Sequence, residues 1–97
     1  MENGYKILWT NNALLELQKT CDYLEANWTE RELRKLSIQI DKTLRLIAKN
    51  PKIFQQSRQK GIRRSVVMKY NTLYYREIEE SKVVEILSFF SNRRDPR

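Results

Sequence analysis

Arginines are the residues of this chain best placed to do chemistry, and they come in pairs: Arg63 and Arg64 in "GIRRSVVM", then Arg93 and Arg94 in the closing "SNRRDPR". A guanidinium keeps its charge and offers five donors in a fixed fork, so such pairs at a rim suit an anionic partner. The plainer reading of Arg93 and Arg94 is a solvated chain end. For Arg63 and Arg64 it is a surface cation paired with a cross-strand glutamate such as Glu77 or Glu85. Neighbours on a strand point to opposite faces, so only one of Arg63 and Arg64 can serve any single site. Arg64 shares its parity with Ile62, Val66 and Met68, which suggests an apolar face, while Arg63 goes with Ser65, Val67 and Lys69.

What is missing narrows the chemistry further. The chain has no histidine and one cysteine, Cys21. That excludes imidazole acid–base catalysis, a disulfide framework and a zinc site of the usual Cys/His type, and it fits a reducing compartment. No metal and no cofactor is called for. At 97 residues and 40% apolar content the sequence reads as one domain, 1–97, whose apolar residues are nearly all needed for its core. "MENGYKILW" lacks the pattern of a secretory leader, and no run approaches the roughly 20 apolar residues that span a bilayer, so the expectation is a cytosolic protein without a membrane role. The net charge is +7, and most of the excess falls in residues 58–97, with ten basic and five acidic residues. Such a balance points to nucleic acid, an anionic surface or an acidic protein partner.

The elements that must carry these residues are legible in order. "YKILW" (Tyr5–Trp9) reads as a short strand, and Thr10, Asn11 and Asn12 are candidate caps for the next element. Leu14, Leu17, Cys21, Leu24 and Trp28 recur at steps of three and four, which predicts a helix over about 11–27. "TERE" (Thr29–Glu32) has the form of a capping box, and Leu33, Leu36, Ile40, Leu44 and Ile47 make the stripe of a second helix that "NP" (Asn50–Pro51) stops. "PKIFQQSRQK" has no strong periodicity and reads as a loop. "GIRRSVVM", "YNTLYYREI" and "KVVEILSFF" read as three strands in a meander, with Tyr5–Trp9 available as a fourth. The class is α+β: an N-terminal strand, then an antiparallel helical hairpin packed on a small antiparallel sheet, in the order β-α-α-β-β-β. Within it Tyr70 and Tyr74 are expected on one strand face and Tyr75 on the other, Phe89 and Phe90 split across the sheet, and Trp9 and Trp28 belong to the core.

Residues 61–97, "GIRRSVVMKYNTLYYREIEESKVVEILSFFSNRRDPR", resemble the C-terminal half of the RelE/ParE superfamily, the toxins of bacterial type II toxin–antitoxin modules of plasmid-stabilisation type. The matching features are a strand led by basic residues, Tyr70 and Tyr74, a Val-rich last strand and the closing Arg-Arg-Asp-Pro. In the ribonuclease branch the resemblance implies metal-free cleavage of mRNA on the ribosome, with Arg64, Arg93 and Tyr74 in the catalytic positions. A 2′-hydroxyl attacks the neighbouring phosphate once a base takes its proton and cations stabilise the charge on phosphorus. Two departures stand against that branch: Asn71 follows Tyr70 where an arginine is usual, and the chain ends on Arg97 without a C-terminal tyrosine.

The ParE branch is the closer resemblance. It implies a non-enzymatic poison of DNA gyrase, with Arg63, Arg64, Tyr70, Asn92, Arg93 and Arg94 in target binding and Asn92 where a histidine is common. The family implies a cognate antitoxin as partner, and the helix stripes would alternatively serve a homodimer. Three expectations result: a gyrase-binding toxin, a ribosome-dependent mRNA endonuclease, or a non-toxic basic module that contacts phosphates or proteins.

Overall fold

Thr10 decides where the first helix begins. Its Oγ1 accepts a hydrogen bond from the Ala13 N–H at 3.2 Å, satisfying a donor that the helix leaves free, and it donates to the Ile86 carbonyl at 2.9 Å. In the computed structural model, which describes residues 4–27 and 30–91, strand β1 (Lys6–Trp9) leads into helix α1 (Asn11–Asn27) and helix α2 (Glu30–Lys49). At the end of α2 the Asn50 side chain accepts from the Lys52 N–H at 3.2 Å, a local turn around Pro51 that replaces further helix. The expected capping box falls outside the described residues at Thr29.

The chain then runs through a connection to β2 (Arg63–Val67), β3 (Asn71–Ile78) and β4 (Val83–Ser91). The sheet order is β1-β4-β3-β2. β2, β3 and β4 form the expected antiparallel meander, and β1 joins parallel to β4, from Lys6 opposite Val83 to Trp9 opposite Ile86. The α+β architecture is thus as the sequence indicates, with a mixed rather than wholly antiparallel sheet.

Both helices cover one face of that sheet. α1 lies along β4, while α2 touches β1 and β2. Leu24, Leu36 and Ile47 from the helices meet Val67, Leu73, Tyr75, Val84, Ile86 and Phe89 from the strands, all at most 4% exposed. Each such side chain contributes about 1.5–3 kcal/mol by leaving water. Trp9 packs on Phe89 with ring centroids 6.5 Å apart. Phe89 and Phe90 split as expected, the second being 51% exposed.

Two expectations are corrected. The buried line of α1 runs through Ala13, Leu17, Thr20 and Leu24, and Leu14 is 47% exposed. The contacts of Thr10, Asn12 and Glu16 with β4 fix the rotation of the helix and turn its smallest residue, Ala13, to the sheet. The apolar-looking side of β2 is the open one: Arg64 and Val66 are exposed, whereas Ser65 and Val67 are buried. β3 decides this, because its fully buried Leu73 and Tyr75 stand opposite Ser65 and Arg63 and carry that side of β2 into the core.

Candidate functional site

The open face of the sheet carries a rung of three residues, Arg64 opposite Tyr74 and Tyr74 opposite Ser88. Between Tyr74 and Tyr75 the register slips: Tyr75 pairs with Ile86, so Leu87 is an extra residue in β4. This bulge places both Leu87 and Ser88 beside Arg64 and Tyr74, in a depression of about 810 Å³. Its other wall is the connection before β2, through Gln56, Ser57, Arg58, Gln59 and Ile62.

That wall is held by backbone and by the buried side of β2. The Arg64 N–H donates to Gln55 O at 3.1 Å and the Ser57 N–H to Ile62 O at 2.7 Å, so the connection pairs with the first part of β2. Gly61 turns the chain at φ 83°, in the left-handed region that glycine adopts freely. From beneath, Arg63 Nη1 donates to Phe54 O at 2.7 Å and the Tyr75 hydroxyl to Pro51 O at 2.7 Å. Arg63 therefore anchors the wall, and Arg64 lines the depression together with Arg58.

Past Trp9, where β1 ends, α1 takes over the edge of β4. Asn12 Nδ2 donates to Leu87 O at 3.0 Å, and Glu16 Oε1 accepts from the Phe89 N–H at 2.8 Å and from Ser88 Oγ at 2.7 Å. The bulged segment is thereby clamped, and Ser88 is oriented within the depression.

The electrostatics are one-sided. Arg58 and Arg64 are the charged residues of the lining, and neither has a carboxylate partner among the described residues. The glutamates that the sequence offered as partners are engaged elsewhere: Glu85 with Arg76 at 2.7 Å, Glu77 with Lys52 at 3.1 Å and with the Tyr5 hydroxyl at 2.6 Å. Burial pushes the Glu77 carboxyl up, but the hydrogen bonds from Tyr5 and Lys52 outweigh it and hold the group below the ordinary carboxylate range. Burial also pushes the half-buried Cys21 thiol up, away from nucleophilic use.

Of the residues singled out in the sequence, Arg64 and Tyr74 come together on the open face and Arg63 lies on the core side. Tyr70 is in the β2–β3 loop rather than on a strand, with the Lys69 ammonium 5.7 Å from its ring centre, so it does not join that rung. Asn92, Arg93 and Arg94 lie outside the described residues. Ser91, opposite Asn71, is three residues beyond Ser88, or about 10 Å along the strand. Arg58, Gln56, Gln59, Ser88 and Glu16 went unrecognised. "QQSRQKG", a polar run with a cation and a glycine just before a strand, is the signal that was present.

This fold has solved counterparts. A structure of the chromosomal ParDE toxin–antitoxin system of P. aeruginosa gives a TM-score of 0.76 at 16% identity, covering 95% of this chain and all of that one. The RelBE2 toxin–antitoxin complex of Mycobacterium tuberculosis gives 0.66 at 19% identity over 98% of both chains. The isolated E. coli RelE toxin also gives 0.66 at 19%, over 95% of this chain and 88% of that one. A comparison with curated protein sequences returns no match. The family model described as the ParE toxin of the type II toxin–antitoxin system parDE matches residues 7–96, nearly the whole sequence, and the chain belongs to that family.

Proposed function

We propose that this type II toxin arrests growth by binding DNA gyrase through its open sheet face, with Arg64 and Arg58 as the cationic contacts, and that a cognate antitoxin neutralises it in the cytoplasm. The observation that carries this reading is the lining of the depression. Among the described residues it offers two guanidiniums, a phenol, amides and hydroxyls, and no carboxylate, imidazole or amine to take a proton. Such a surface grips an anionic or polar partner, whereas RNA cleavage needs a general base as well as cations. Asn71 adds support: where the resemblance would put a ribonuclease arginine stands a residue 2% exposed, outside the depression.

The ribonuclease reading retains one observation in its favour, the Arg64–Tyr74 rung on the open face. Induced expression in a bacterial host, with paired pulse-labelling of new DNA and new protein, separates the two. The gyrase reading expects DNA synthesis to stop first while translation continues. Translation stopping first returns the ribonuclease reading.

A further inference from the structure

The open face of the sheet changes character from row to row along its strands. Arg64, Tyr74 and Ser88 make the row that lines the depression. On one side of it Arg76 and Glu85 stand opposite each other and neutralise each other, Nε to Oε1 at 2.7 Å. On the other side, toward the β2–β3 loop, Val66 stands opposite Thr72 and Thr72 opposite Phe90. Thr72 is 4% exposed, Val66 58% and Phe90 51%, so what this row presents to solvent is a valine and a phenylalanine.

The core takes the sequence neighbours Val67 and Phe89 and leaves Val66 and Phe90 outside. One exposed apolar side chain is ordinary. Two on a single row, next to a row whose guanidinium has no carboxylate partner among the described residues, make a composite surface, apolar on one side and cationic on the other. Val66 and Arg64 are two residues apart on one strand face, about 7 Å, and so are Phe90 and Ser88.

We propose, on the basis of the gyrase reading, that Val66 and Phe90 are the apolar half of the target site: they cover an apolar side chain of a gyrase protein segment whose carboxylate, about 7 Å away, is held by Arg64 and Arg58. Residues i and i+2 of an extended segment have that spacing. Duplex DNA offers phosphates to the guanidiniums but keeps its bases stacked inside, and so leaves Val66 and Phe90 uncovered. A second copy of this chain would bring like charges together on a molecule of net charge +7. The Arg76–Glu85 row is already neutral and ends the cationic stretch, so the segment lies with its apolar residue toward the β2–β3 loop and its carboxylate away from it.

The test measures binding of the purified full chain to purified gyrase without DNA, to gyrase with a duplex, and to the duplex alone, each at low and high salt. The expected result is binding to DNA-free gyrase that Phe90→Ser weakens about tenfold or more without altering its salt dependence. Val66→Thr, which keeps the shape and the strand preference, should weaken it about fourfold, one methyl's worth of burial, and decides the matter should Phe90→Ser not fold. Arg64→Ala should weaken binding and flatten its salt dependence, while Ile38→Ser, an exposed apolar residue on α2, should change nothing. Binding to gyrase that Phe90→Ser and Val66→Thr leave intact overturns the proposal and spares the gyrase reading. Binding that requires the duplex, or is as tight to the duplex alone, overturns it in favour of phosphate contacts. No binding of the unaltered chain to gyrase in either form overturns the gyrase reading and this proposal with it.

Discussion

Arg63 and Arg64 are adjacent and chemically identical, yet the pleat gives them different work. Arg63 Nη1 donates to the Phe54 carbonyl under the wall of the depression, while Arg64 faces the open side. Replacing Arg63 by alanine removes a charge-assisted hydrogen bond and should cost about 1.5–3 kcal/mol, read as a lower midpoint in denaturant unfolding. Arg64→Ala should change stability by less than about 0.5 kcal/mol and abolish growth arrest, measured by colony counts after induction. Had the two behaved alike, the assignment of faces would be wrong. Glu77 gives a pH dependence with a definite sign. Its carboxyl is held below the ordinary range, so its contribution is complete above about pH 4.5 and is lost as pH falls through the lowered value. The Tyr5 hydroxyl, raised mainly by its hydrogen bond to Glu77, gives the opposite arm: stability present below pH 10.0 and lost above it. Thermal midpoints of wild type and Glu77→Gln should therefore converge as the pH is lowered into the acid range.

At the scale of elements, α1 does more than cover the core. Where β1 runs out at Trp9, Thr10, Asn12 and Glu16 supply the edge partners that another strand would have given β4. Glu16→Ala should cost about 1–3 kcal/mol, because the Phe89 N–H loses its acceptor, and Glu16→Gln should recover most of that since the amide oxygen still accepts. The order of elements and both helix spans were readable from apolar spacing, from the Thr10 region and from Asn50–Pro51, which are local signals. The faces of β2 and α1 were not. Ile62, Val66 and Met68 look like a core stripe, but pairing with Leu73 and Tyr75 overrides them, and nothing local in α1 favours Ala13 over Leu14. Arg64 and Tyr74 were singled out through the resemblance carried by residues 61–97, since parity alone set Arg64 beside Ile62, Val66 and Met68. The Leu87 bulge and the Arg58 wall depend on long-range pairing and were not.

For the whole molecule, the described residues divide into a covered sheet face that makes the core and an open face that presents cations. The β2–β3 loop forms a second, apolar end with Asn71 beneath it. Asn71 Oδ1 is buried without a hydrogen-bond partner among the described residues, so Asn71→Leu should raise the thermal midpoint by about 4–8 °C per kcal/mol recovered. The same division frames the central claim, that this ParE-family toxin acts by gripping its target and not by cutting RNA. Pulse-labelling after induction tests that claim most directly, with Arg64→Ala as the folded control. An early halt in DNA synthesis, with translation continuing and neither effect in the control, is what the account predicts. An early halt in translation with mRNA cut within codons would contradict it.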